Sequence, residues 1–144
     1  MNRENLEVLA QWLEAGAPHR NNVDKFDMHD GIRIDACGTA CCIAGAAIQF
    51  FGNGEAEAMY AVAIERYTER GVGKVPFYPN FRGERTVLSF GAELLDLTPE
   101  QAADLFTPCR YEYDWDKITP AHAATAIRNF LKTGEVNWSH LGDL

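Results

Sequence analysis

Residues 40–51, ACCIAGAAIQFF, place the tightest constraint on the fold. Ala40, Cys41, Cys42, Ala44, Gly45, Ala46 and Ala47 are all small, and Ile48, Phe50 and Phe51 follow them. A helix that is small and apolar on nearly every side offers water no face. It belongs inside a domain, where neighbours approach its backbone closely. Thr39 suits its N-cap and Gly52 its stop. With 144 residues, 47% of them hydrophobic and 11% aromatic, the chain can wrap one such helix in one modest core and is too apolar for a disordered tail. The expectation is a mainly α, single globular domain over 1–144. Five or six short helices surround the small-residue central helix, with one short β-hairpin.

The flanking elements follow from pattern. Leu6, Leu9, Ala10 and Leu13 keep helical spacing and predict a helix over 3–15, closed by Gly16 and blocked by Pro18. In KFDMHDGIRID, Phe26 and Met28 alternate with Asp27, and Ile32 and Ile34 with Arg33. His29-Asp30-Gly31 supplies turn chemistry, so these two runs are expected to pair as the hairpin. A helix over 55–70 is expected to turn Met59, Val62, Ala63 and Tyr67 to one side. GVGKVPFYPNFRGER then reads as one long loop, and residues 86–96 resume helical spacing despite Gly91. Two helix starts are explicit: Thr98-Pro99 with Gln101, and Thr119-Pro120 running to Gly134. YEYDWD alternates as an extended segment does, and Val136, Trp138 and Leu141 anchor the tail.

Three of the four cysteines fall within residues 37–42. No run reaches the roughly 18 apolar residues of a membrane helix, and MNRENLEVLAQWLEAG is too charged for a signal peptide. A reducing cytoplasm is therefore expected, with thiols free or metal-bound and no membrane association. Three readings of the cluster stand. Cys37, just before the helix, would have its thiolate stabilised by the helix dipole, with His29, His122 or His140 as base. Cys37 and Cys42 would instead hold zinc with His29 or Cys109, although helical geometry points the adjacent Cys41 and Cys42 about 100° apart. In the third reading Cys42 is a small core side chain and Cys41 fills a gap between helices. No local nucleophile signature, paired zinc knuckle, phosphate loop or calcium loop is present, so no catalytic residue and no cofactor is assigned.

The formal net charge of -8 disfavours a nucleic-acid backbone as partner. Charge is also uneven. Glu93, Asp96, Glu100, Asp104, Glu112, Asp114 and Asp116 face only Arg110, whereas Arg66, Arg70, Lys74, Arg82 and Arg85 outnumber Glu69 and Glu84. Two stretches carry the residue types of binding surfaces: Phe77, Tyr78, Phe81 and Arg82 in the long loop, and Glu112, Asp114, Trp115 and Asp116 in the acidic one. Their competing readings are aromatics folded back onto the body and a solvated acidic edge.

CGTACCIAG, preceded by FDM and followed by ITPAHAATAIRNFLKTGEVNW, resembles small uncharacterised phage and bacterial proteins. In these a Cys-Gly-Thr-x-x-Cys-Ile-x-Gly pattern opens a central helix, and a Thr-Pro-x-x-Ala-Ala helix closes the domain. Cys37, Gly38, Thr39, Cys42, Ile43 and Gly45 match; Cys41 replaces another small residue, and Ala46 stands near where a tryptophan is common. The resemblance implies no established activity but a mobile-element origin. It points to an accessory protein that binds a protein partner, a host defence component, in the manner of an anti-CRISPR inhibitor. The alternative is a small cysteine-dependent enzyme or a zinc-binding protein built on Cys37 and Cys42. A homodimer packed through the small-residue helix is also open.

Overall fold

The computed structural model describes residues 1–78, 85–108 and 114–142. In chain order these form α1 (Arg3–Glu14), β1 (Lys25–Phe26), β2 (Ile32–Asp35), β3 (Gly38–Cys41), α2 (Ile43–Phe51), α3 (Asn53–Arg70) and β4 (Gly73–Lys74). Then follow α4 (Val87–Leu94), α5 (Pro99–Phe106), a 3-10 turn at Trp115–Lys117, α6 (Pro120–Thr133) and a second 3-10 turn at Ser139–Leu141. The mainly helical expectation holds, with six α-helices among the described residues.

The β structure differs from a lone hairpin. Four strands make one mixed sheet in the order β1-β3-β2-β4. The antiparallel hairpin is β2 with β3, pairing Ile32 with Cys41 and Asp35 with Gly38. The segment at Phe26 is no hairpin partner of β2; it pairs parallel with β3, Phe26 opposite Cys41. β4, inside the stretch expected to be loop, pairs Arg33 with Lys74. Alternation marked β1 and β2 but neither β3 nor β4, and the tighter link is Ala36-Cys37. Gly38 makes it possible: its φ is +111°, and a Cβ there would lie 2.5 Å from Asp24 Oδ2. The same carboxylate accepts the Thr39 N–H at 2.7 Å.

That pairing also moves the central helix. Residues 40 and 41 are extended, because Asp27 N–H needs the Cys41 carbonyl (3.0 Å) and Asp24 N–H the Thr39 carbonyl (2.9 Å). Cys42 is therefore the N-cap of α2, and Thr39 is not. Once started, α2 behaves as its composition requires: seven of its nine residues are buried. A Cβ on Gly45 would sit 1.8 Å from the Gly31 carbonyl oxygen, and one on Gly91 of α4 would sit 2.9 Å from Ala44 Cβ. The glycine that weakens α4 as a helix is thus where α4 crosses α2. These contacts occupy α2 within its own chain, so it is not free to pack across a twofold axis.

Both proline-led helices carry capping boxes. At α5 the Gln101 side chain accepts the Thr98 N–H at 3.0 Å; at α6 the Nδ1 of His122 accepts the Thr119 N–H at 3.1 Å. That bond assigns His122 a structural role with Nδ1 unprotonated. The most extensive helix–helix contact joins α1 to α6. Its apolar side includes Leu6, Leu9, Ile127 and Phe130, and Arg128 clasps Glu7 and Glu14 across the outside. Trp138 and Leu141 anchor the tail as expected; the Trp138 indole donates to the Asp104 carbonyl at 2.9 Å. One connected cluster of buried side chains runs from Leu6 to Leu141.

Candidate interaction surface

The cysteine motif is distributed over three environments. Cys37 is exposed at the β2–β3 turn, not at a helix N-terminus, and its N–H donates to Asp35 Oδ1 at 2.7 Å. Cys41 lies in β3, fully buried, and desolvation pushes its thiol well above the usual range. Cys42 is buried at the start of α2. Burial raises its thiol to about 11, although the N–H groups of Gly45 and Ala44 pull the other way. The helix terminus does favour the thiolate there, but desolvation outweighs it. Cys42 is thus a neutral thiol near pH 7. Among the described residues no group of three His, Cys, Asp or Glu side chains could hold a metal ion. Cys109 lies outside them.

His29 is drawn to the acidic stretch. Its Nδ1 lies 3.0 Å from Asp116 Oδ1, and its ring meets the Trp115 ring edge-on with centroids 6.2 Å apart. Asp114 caps the 3-10 turn by accepting the Asp116 N–H at 3.1 Å, and the Trp115 indole donates to the Pro108 carbonyl at 3.1 Å. Residues 115–117 therefore coil where alternation suggested an extended run. The ring of Trp115 is half-buried, which leaves the two acids as the outward part of this corner. Glu112, Phe81 and Arg82 fall outside the described residues.

The other surface forms around α3. Only Ala56, Met59 and Ala63 of its eighteen residues are buried. Val62, expected on the inner side, is 38% exposed, as is Ile64; Val72 is 37% and Tyr78 52% exposed. These four are the exposed large apolar side chains among the described residues, and all fall between positions 62 and 78. Ala58, Met59 and Val62 of α3 face Val75 and Pro76 across a groove of about 260 Å³, with Glu55 and Arg85 on its rim. β4 can lie this close because Gly73 has no Cβ; one would be 1.8 Å from the Ala63 carbonyl oxygen. Arg66 straps the arrangement by donating to the Lys74 carbonyl at 2.7 Å. Phe77 is half-buried against Gly31 and Val87, whereas Tyr78 stands outside it, edge-on at 4.9 Å. Of the two described loop aromatics, one folds back and one projects.

Arg85 joins the basic and acidic stretches. It bonds Glu55 at 2.8 Å and Glu93 at 2.5 Å, and its guanidinium lies 4.1 Å from the Phe90 ring centroid. The two stretches of opposite charge therefore touch here and neutralise locally. Sequence reasoning missed Val62, Ile64 and Val72 as surface residues. The signal was available in α3 itself, whose Glu57, Glu65, Glu69 and Arg70 leave it too polar to be enclosed. No protein-family model matches the chain, and neither curated proteins nor solved structures yield a significant match. Among the described residues, no helix is long and apolar enough to cross a membrane.

Proposed function

We propose that this chain acts by binding another protein, with the α3–β4 groove and Tyr78 as the docking surface. The observation that carries the reading is the apolar groove in which Ala58, Met59 and exposed Val62 face Val75 and Pro76, with Glu55 and Arg85 on its rim. Scattered apolar side chains are ordinary on a surface, but a contiguous set with a polar rim marks an interaction site. The occupant is an apolar side chain of a partner, seated between Val62 and Pro76. It arrives on a basic surface, which the net charge of -8 attracts and orients. In its most concrete form the partner is a component of a bacterial defence complex and the chain is its phage-type inhibitor; the resemblance of the CGTACCIAG region supports that form.

The test compares wild type, Val62→Asp and Cys37→Ser in a bacterium with an active defence system, reading phage plating and the identity of captured effector. The expected outcome is restored plating and stoichiometric capture by wild type and Cys37→Ser, both lost in Val62→Asp. Val62 is partly exposed, so unfolding stability should change by less than about 0.5 kcal/mol. Retained capture by Val62→Asp removes the groove from the proposal, and unchanged plating for wild type removes the defence inhibitor.

A further inference from the structure

Asn53 opens α3 with a φ of +50°, a left-handed value that asparagine tolerates better than most side chains, and Gly54 follows it. Both are exposed. The pair sets the electrophilic carbon of a side-chain amide beside the next backbone nitrogen, and joining the two closes a five-membered ring. A folded protein blocks that closure by bonding the carboxamide, by committing the nitrogen to a helix or strand, or by crowding it with the next side chain. None of these holds at position 53. No hydrogen bond ties the Asn53 carboxamide to another described residue. The first bond of α3 runs from the Ala56 N–H to the Gly52 carbonyl at 3.4 Å, so the Gly54 N–H has no partner within its helix. A Cβ on Gly54 would meet nothing within 4 Å, which leaves the nitrogen open to approach.

Elsewhere the molecule guards against the same chemistry. Among the described residues, Asn2, Asn5, Asn21, Asn22 and Asn137 all hold hydrogen bonds through their side chains. Asn129 lies within α6, ahead of buried Phe130, whose nitrogen belongs to the helix. Asp30-Gly31, the aspartyl counterpart, is closed: the Asp30 side chain is 11% exposed and accepts from Arg33 at 3.3 Å, and a Cβ on Gly31 would lie 3.1 Å from the Phe77 ring. We propose that Asn53 is a site of spontaneous deamidation in the folded protein. The Gly54 nitrogen gives up its proton and bonds the Asn53 side-chain carbon, and the amide nitrogen leaves as ammonia, taking up one proton in exchange. Water then opens the cyclic imide at either carbonyl, giving an ordinary aspartyl or an isoaspartyl link; nothing is oxidised or reduced. Each product adds a negative charge to a chain already at -8, at a helix N-terminus that favours it. The isoaspartyl link also lengthens the main chain by one carbon. Gly52 cannot absorb that, because a Cβ there would lie 2.6 Å from the Ile48 carbonyl oxygen and 2.9 Å from Ala56 Cβ. The first turn of α3 must give instead, next to Glu55 on the rim of the α3–β4 groove. The modification stands whether or not that groove binds a protein.

The test ages the full folded chain beside a synthetic peptide of residues 50–57 and maps both by mass spectrometry. Wild type should gain about 1 Da at position 53, at a rate within about tenfold of the free peptide and faster in alkaline buffer. Over the same period Asn129 should gain no mass and Asp30 should not isomerise. Gly54→Ala, whose methyl group meets nothing, should slow the gain about tenfold or more without lowering the melting temperature. Asn53→Gly, which suits a positive φ, should abolish it. A wild-type rate further below the peptide's, or equal conversion at Asn129, overturns the site. Separated by chromatography, the isoaspartyl fraction should unfold at lower urea than the aspartyl one. Equal midpoints overturn the effect on α3 and leave the modification itself standing.

Discussion

α2 and α3 are consecutive helices separated by Gly52 alone, and they sit at opposite extremes. α2 is nine residues long with seven buried; α3 is twice that length with three buried. Small side chains let α2 be surrounded at backbone distance, by Gly31 on one side and Ala44–Gly91 on another. α3 touches the body along a narrow stripe and leaves Val62 and Ile64 on its two flanks. One helix supplies the core, and the other supplies surface with apolar content to spare. Length is therefore a poor guide to which helix holds the fold together.

The contrast breaks most sharply at glycine. Gly45→Ala forces a methyl group 1.8 Å from a backbone oxygen, which cannot swing aside. We expect a loss of about 3 kcal/mol or more in urea unfolding, and a loss under about 1 kcal/mol would mean that α2 has room to shift. Next come paired truncations. Ile48→Ala, fully buried in α2, should cost about 4 kcal/mol and Met59→Ala in α3 about 2 kcal/mol, because the second site is nearer to solvent and can collapse. Equal costs would make α3 as much a core element as α2.

The third expectation concerns pH. The folded Cys42 thiol titrates near 11 against an ordinary value of 9.0. Below pH 9 both the folded and unfolded chains keep the proton, and nothing is lost. Between about pH 9 and 11 the unfolded chain releases it while the folded chain holds it, so stability falls as pH rises, by up to about 1.4 kcal/mol per unit. Cys42→Ala should lessen that decline, the buried Cys41 thiol supplying the remainder, and identical slopes for the two proteins would break the account of a desolvated Cys42 thiol. The smallest effect is expected at Gly54, in the first turn of α3, where a Cβ would meet nothing within 4 Å. Gly54→Ala should stabilise by about 0.5 kcal/mol through helix propensity, opposite in sign to the change at Gly45.

Sequence reading succeeded where local chemistry decides. The Thr98 and Thr119 caps and the stop at Gly52 all depend on neighbours within a few residues. It failed where a distant partner decides. Cys41 looks helical beside Ala40 and Ala44, but β1 and β2 claim its backbone, and pairing of that kind has no signature within the segment itself. β4 was hidden because two residues show no alternation and depend on the missing Cβ of Gly73. At the surface, Tyr78 could be singled out from its loop, whereas Val62, three positions after Met59, read as interior. The 260 Å³ groove exists only once β4 and α3 are side by side.

The clasp of α6 on α1 sets an order of events during synthesis. Arg128 reaches Glu14 across 114 positions of sequence, and Leu6 and Leu9 have α6 as the main helical cover for their stripe. At roughly 5–20 residues per second, α1 leaves the ribosome about 6–20 seconds before α6 is made. During that interval its leucines are open to chaperones and to other nascent chains. Until α6 is made the leucine stripe of α1 lacks its main helical cover, so a copy that stops before α6 leaves that stripe open.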